Sequence, residues 1–195
     1  MNRRILGAVA AALGASSAGC SSSTPATFTG SIHGVTFTAS DAVSGPASLQ
    51  LGTTNVSAGA VVITSWSGVC SDISQNPPQQ MKNSSYFIIV LGVFTGTTIS
   101  APSAAGTYTV FAGTGTPPTN LALVLFNQTD AQCNTVQATT AEAASGTVTL
   151  SGLNGSSYSG SFDVTMNSGD HVTGSFNATG CAALSTVFTT QTVCI

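Results

Sequence analysis

Charge is what this sequence has least of. Asp, Glu, Lys and Arg make up 5% of its 195 residues, three basic side chains against six acidic ones. Arg3 and Arg4 sit at the amino end, so a chain trimmed of that segment keeps Lys82 alone, and its formal charge of −3 falls by two to −5. A single lysine cannot neutralise a run of phosphates, which excludes nucleic acid as a partner. Anionic membrane surfaces gain no electrostatic hold for the same reason. Disorder is excluded on opposite grounds: it needs high charge and few apolar residues, and here apolar residues reach 42%. The polar surface must therefore be built from hydroxyls and amides.

Other absences narrow the chemistry. His33 and His171 are the only histidines and Trp66 the only tryptophan. No CxxC pair occurs and the two histidines are far apart in sequence, so neither a metal nor another cofactor is expected. No GxSxG is present to set up a serine nucleophile, and Gly113-Thr114-Gly115 has no lysine behind it to make a phosphate loop. No apolar run is long enough to cross a bilayer as a helix.

What is present begins with an export pattern. Residues 1–19 combine Arg3 and Arg4, an apolar run from Ile5 to Leu13 and the small-residue run Gly14–Gly19, ahead of Cys20. Ser17-Ala18-Gly19-Cys20 resembles a bacterial lipobox in which Cys20 becomes the lipidated first residue, although Ser17 stands where leucine is usual. Ser21 in second place resembles the outer-membrane type. Residues 20–27 then read as a flexible tether, and 28–195 as a single β-domain.

The clearest structural pattern is Ser145–Ala178. Val148 and Leu150, then Tyr158, Gly160, Phe162, Val164 and Met166, then Val172, Gly174, Phe176 and Ala178 recur with period two. Each run ends in a Gly/Asn/Ser cluster, as in an antiparallel meander with one wet face. Parity predicts a three-residue loop at Asn154–Ser156 that sets Gly152 opposite Tyr158. It likewise predicts a turn at Asn167-Ser168-Gly169 with Gly169 left-handed, which puts Phe162 opposite Gly174, Gly160 opposite Phe176 and His171 opposite Thr165.

Elsewhere the pattern is coarser. Phe28 and Ile32 share a parity that shifts at Val35, Phe37 and Ala39, marking a bulge or turn at His33-Gly34. Ser44-Gly45-Pro46 reads as a turn, Ser48–Leu51 and Ala60–Trp66 as strands, and Trp66 as a core anchor rather than a sugar-stacking platform. Cys70–Ser85 reads as a long polar loop. Tyr86–Phe94 is continuously apolar, as a central strand buried on both faces would be, with Leu121–Phe126 as its partner. Thr107–Ala112 reads as a strand between these two in sequence, Thr116–Thr119 as a break, and Ala138–Ala144 as one or two helical turns.

With Cys20 set aside, Cys70, Cys133, Cys181 and Cys194 are an even number in an exported chain, which implies two disulfides. Three pairings are open; the expected one is Cys70–Cys133 with Cys181–Cys194, the first pinning the long loop and the second closing a short terminal one.

The candidates for chemistry are few. His171 with Asp163 or Asp170 could form an oriented base, but a solvated turn histidine explains it as well. Asp163 and Asp170 could be a carboxylate pair for glycoside hydrolysis, yet both fall on the wet face. Asn167–Asp170 lacks the spaced acids of a calcium loop. The N-x-[ST] matches at Asn55, Asn83, Asn127, Asn154 and Asn177 are expected by chance in this composition and, behind a bacterial leader, lose their usual meaning. No catalytic residue is assigned.

The opening FTGSIHGVTFTASDA, the DAQC segment at Asp130–Cys133 and the ending SGTVTLSG…SGSFDVTM…GDHVTGSFNA…C together resemble small uncharacterised lipoproteins most numerous among myxobacteria. The resemblance spans most of the mature chain. It implies an envelope-located β-domain and carries over no catalytic residue and no ligand.

The expectation is therefore an all-β, mainly antiparallel β-sandwich or flattened barrel of about eight to ten strands with a C-terminal β-meander. Its function would be that of a non-enzymatic envelope lipoprotein, a binding or structural module whose partner is an apolar ligand or an envelope protein. One alternative is a carrier of an apolar small ligand inside a lipocalin-like barrel, with room left by Gly160 and Gly174. The other is a hydrolase using His171.

Overall fold

The structure, a computed structural model, describes residues 24–51 and 54–195. The export signal, Cys20 and the first half of the tether expected at 20–27 lie outside the described residues.

Strand β1 (Ala26–Thr29) is followed by the short pair β2 (Ser31–Ile32) and β3 (Val35–Thr36), then by β4 (Asp41–Leu51) and β5 (Thr54–Thr64). Helix α1 (Val69–Ile73) and β6 (Gln79–Gln80) precede β7 (Ser85–Phe94), β8 (Ile99–Ser100), β9 (Gly106–Val110) and β10 (Asn120–Gln128). A 3-10 turn at Gln137–Thr139 leads into β11 (Ala141–Asn154), β12 (Ser157–Met166) and β13 (His171–Gly180), and the chain ends with α2 (Leu184–Val187) and β14 (Val193–Cys194).

Eight of these strands close a barrel in the order β13-β12-β11-β9-β10-β7-β5-β4. Closure comes from the parallel pairs Thr179↔Val43 and Gly180↔Ser44. Ser44 holds this seam. Fully buried, it donates its hydroxyl to the carbonyls of Ser156 and Ala178 and accepts the Tyr158 N–H at 2.9 Å. Between sandwich and barrel, the choice falls to the barrel.

The meander forms with the expected aromatic–glycine pairs. Phe162 lies opposite Gly174, Gly160 opposite Phe176 and His171 opposite Thr165. Gly169 is left-handed at φ 88°, and its N–H bonds the Met166 carbonyl. The preceding turn differs from expectation. Asn154 pairs with Ser157 and Leu153 with Tyr158, so Gly152 faces Ser159, and the turn is two residues long with Gly155 at φ 59°. A bulge at Ser151 between the pairs Leu150↔Gly160 and Gly152↔Ser159 absorbs the parity mismatch that had argued for three. A second register shift precedes Gly146, whose φ of 122° and approach to the Asp163 carbonyl leave no space for a side chain.

Other expectations are corrected by contacts distant in sequence. Ser44-Gly45-Pro46 is not a turn but the middle of β4. The Ser44 carbonyl faces β13, where it accepts the Cys181 N–H, so Pro46 two residues on faces the same side. It lies past the last pair shared with β13, where a missing N–H breaks no ladder. Cys70–Ser85 holds α1 and β6 rather than plain loop. Asp41 Oδ2 accepts the N–H groups of Gly68 and Val69 and so satisfies the first turn of α1. Ala141 and Ala143 are buried on alternating positions of β11, and only Gln137–Thr139 is helical; small buried strand residues read from sequence as helix formers. The domain begins two residues earlier than expected, because β1 pairs Ala26 with Phe176 and the Asn177 N–H bonds the Pro25 carbonyl. His33-Gly34 is the expected turn, with φ of 49° and 76°, between β2 and β3.

Phe87, Ile89 and Leu91 point inward from β7, as do Val61 and Ile63 from β5 and Val124 and Phe126 from β10. Phe28, Phe37, Phe87, Phe126 and Phe162 form a chain of rings through this interior, with neighbouring centroids 4.9–5.9 Å apart. The Phe162 ring covers Gly174 and the Phe176 ring covers Gly160, so side chains fill the room expected there.

Two disulfides form, as the even number of cysteines implied, but neither of the expected pairs does: the bridges are Cys70–Cys181 and Cys133–Cys194. The first joins α1 to the strand end that closes the barrel. The second joins the Asp130–Asn134 turn to the carboxyl end, where β14 runs beside β6. Asp130 shapes that turn by accepting the Gln132 and Asn134 N–H groups, which hold its carboxyl below the usual range, and Cys133 takes a positive φ of 60°.

Candidate functional site

Two regions combine side chains in a way that bears on function. The first is polar and lies around the β12–β13 turn. Its strands hold Asp163 and His171 on neighbouring outward positions, with His171 Nε2 2.7 Å from Asp163 Oδ1. Asp170 turns elsewhere: its Oδ2 accepts the Ser168 hydroxyl and the His33 N–H at 2.8 Å. These bonds, the hydroxyl first, lower the Asp170 pKa, with a smaller contribution from the His33 charge. The contact with His33 spans 137 residues and had no signal in the sequence.

This arrangement differs from that of a catalytic triad. The His171 and Asp163 side chains are 59% and 68% exposed, so water screens whatever charge they carry. In a triad the carboxylate orients one ring nitrogen and the other faces a nucleophile. Here His171's second ring nitrogen has no hydrogen-bond partner among the described residues, and neither residue lines either of the two cavities described below. Asp163 and Asp170 hydrogen-bond to different partners, His171 for the first and Ser168 and His33 for the second. Among the described residues, no group of three or more His, Cys, Asp or Glu side chains could hold a metal ion. Gly113 and Gly115 both take positive φ in a plain turn.

The second region is apolar and lies on the outside of the barrel. The residues of β5, β7 and β10 that do not face the core fall into rows: Ala60, Val90 and Leu123, then Val62, Ile88 and Leu125. An outward apolar face on three adjacent strands must be covered or used. At one end it is covered. Val43, Val62, Val69, Cys181 and Leu184 form a second, smaller core, with Trp66 packed against it. Trp66 is half-buried and its indole N–H donates to Asp72 Oδ2 at 3.0 Å, so it anchors this outer cluster, not the barrel core.

At the other end the face stays open as a cavity of about 350 Å³, lined by Ile88, Val90, Phe111, Leu123 and Leu125, with Glu142 at its rim and Phe188 at one end. A second cavity of about 190 Å³ is lined by Trp66, Ile73, Tyr86 and Val187 and again by Phe188. The two share Ile88 and Phe188. Burial raises the Tyr86 pKa, partly offset by hydrogen bonds with Thr135 and Asn127. Glu142 and Tyr86 are the ionisable groups among the residues lining the two cavities. The lining of the groove is predominantly apolar.

The continuous apolar character of Tyr86–Phe94 and Leu121–Phe126 was the sequence signal for this site. It read as burial on both faces, whereas one face meets the core and the other the groove. Compared with known proteins, the chain matches no family model, no curated protein and no solved structure.

Proposed function

We propose that the protein is a non-catalytic binding module of the bacterial envelope, held to the membrane through a lipid on Cys20, and that its outer groove takes a small apolar ligand. The groove is the observation that carries this reading: its larger chamber falls within the range of about 300–1,000 Å³ usual for small-molecule sites. The ligand is placed outside the barrel because the interior is packed with rings. Two disulfides and an amino-terminal export pattern support an oxidising compartment. The tether would leave beside Asn177, where Pro25 bonds β13.

The intact mass of protein taken from its native membrane, before and after denaturation and with thiols alkylated, tests both halves. A chain beginning at Cys20 with added acyl mass supports the address. Extra mass lost on denaturation supports the ligand, and its loss in Leu125→Glu locates it in the groove. A chain cut elsewhere and unlipidated would overturn the anchor. Turnover of an ester or glycoside that His171→Ala abolishes would overturn the non-catalytic reading.

A further inference from the structure

The carboxyl-terminal segment lies across the outer face that carries the groove. It is cross-linked at both ends, through Cys181 to Cys70 and through Cys194 to Cys133. Its ends are also hydrogen-bonded to the rest of the fold. Cys181 N–H reaches the Ser44 carbonyl, Val193 N–H the Pro78 carbonyl and Ile195 N–H the Gln80 carbonyl. The Thr192 hydroxyl donates to Gln80 Oε1.

Between these anchors the bonding changes. From Ala182 to Gln191, every hydrogen bond found among the described residues stays within the segment, as in Thr186 N–H to Ala183 and Thr189 N–H to Thr186. Four apolar side chains seat this middle part: Leu184, fully buried, and Ala183, Val187 and Phe188, partly buried against the outer cluster. Phe188 lines both chambers, as does Ile88 of β7, and of the two only Phe188 belongs to this segment. A segment pinned at its ends, with no hydrogen bond from its middle to the barrel and held there by apolar packing alone, has the construction of a lid, since its opening breaks side-chain contacts but no ladder.

We infer that residues 182–192 are a disulfide-tethered lid over the groove, that displacement of Phe188 joins the two chambers into one channel, and that the channel admits a single-chain amphiphile with an uncharged or cationic head. This rests on the proposed binding role of the groove. Two chambers that meet at Ile88 and Phe188 suit one chain passing from one to the other better than a compact ring system. The head-group preference follows from Glu142 at the rim of the larger chamber, from the absence of any cation among the residues lining either chamber, and from the chain's net negative charge. A fatty carboxylate would meet repulsion with nothing to pair it. The disulfides limit how far the lid can move, so it bows rather than detaches.

The test uses the disulfide-intact protein and two probes that differ only in the head group, dansylaminoundecanoic acid and its methyl ester. Stopped-flow fluorescence gives association and dissociation rates for the wild type, Phe188→Ala, the double variant Cys133→Ala/Cys194→Ala and the groove variant Leu125→Glu. The ester is expected to bind the wild type more tightly than the acid. Freeing the distal anchor or removing the Phe188 ring should raise both ester rates, by about tenfold where the lid equilibrium limits entry. Hydrogen exchange of the wild type should show the amides of Leu184–Val187 opening well before those of β7 and β10.

If Leu125→Glu abolishes ester binding but both lid variants keep wild-type rates, the lid is overturned and the groove stands. If the ester binds none of the proteins, groove and lid fall together. Equal affinity for acid and ester overturns the head-group assignment. Exchange of the Leu184–Val187 amides only with global unfolding overturns the lid, and holds even if a disulfide variant fails to fold.

Discussion

The two disulfides close loops of similar size in very different surroundings, and removing them one at a time should separate the two effects. Cys70–Cys181 spans 111 residues and Cys133–Cys194 spans 61. In the chain-entropy account their removal returns at most about 4.8 and about 4.3 kcal/mol to the unfolded state, so loop length separates them by only about half a kcal/mol. Burial separates them further. Cys181 is 1% exposed among Val43, Val62, Val69 and Leu184, whereas Cys194 is exposed. Trimming a buried sulfur to a methyl leaves a small void and adds about 1–2 kcal/mol. Cys70→Ala/Cys181→Ala should therefore be less stable than Cys133→Ala/Cys194→Ala by about 1.5–2.5 kcal/mol. At about 2–4 °C per kcal/mol for a domain of this size, its Tm should also be several degrees lower. Urea unfolding of both variants with the remaining bridge intact, read by near-UV circular dichroism, makes the comparison, provided the m-values agree. Equal stabilities, or the opposite order, would refute the claim that the outer cluster around Cys181 is a second core. A peptide map linking Cys70 to Cys133 would refute the pairing itself.

Three further outcomes follow from single contacts. Gly174→Ala places a Cβ against the Thr27 carbonyl and the Phe162 ring and should lose about 3 kcal/mol or more in urea unfolding, whereas the exposed neighbour Ser175→Ala should lose under about 1 kcal/mol; equal losses would refute the register argument. Ser44→Ala leaves the buried Tyr158 N–H without its acceptor and should cost about 1–3 kcal/mol, while Ser48→Ala on the same strand changes stability little; a neutral Ser44→Ala would show that the seam does not depend on this hydroxyl. Asp170 has its folded pKa lowered, so the stability it adds is present above the ordinary carboxylate range and is lost as pH falls through the depressed value. The Asp170 carboxyl signal in NMR should titrate below the usual range together with the His33 amide, and Asp170→Asn should abolish the coupled amide shift; an Asp170 midpoint at the ordinary value would refute it.

The candidate site was partly legible. Tyr86–Phe94 and Leu121–Phe126 announce strands with two apolar faces, and nothing in a linear pattern says that one of those faces meets a core while the other meets a groove under the chain's own carboxyl end. His171 with Asp163 was legible because two residues near one turn, on the same parity, must come together. His33 beside Asp170 was not, because the β2–β3 turn reaches that corner only when the amino-terminal strands enter the barrel mouth.

The same division runs through the fold. Period-two alternation determined the meander, and the aromatic–glycine pairs determined the β12–β13 register, since side-chain parity and a left-handed Gly169 are local constraints. Where a constraint could be met in more than one place, local reasoning failed: the parity mismatch at Asn154–Ser156 was absorbed by a bulge at Ser151 instead of a longer loop. Barrel closure through Ser44, a strand running through Gly45 and Pro46, and the pairing Cys70–Cys181 with Cys133–Cys194 belong to tertiary structure alone. Each depends on which segments become neighbours across the sheet, and that is decided by the burial of the whole apolar set at once, not by the residues on either side in sequence.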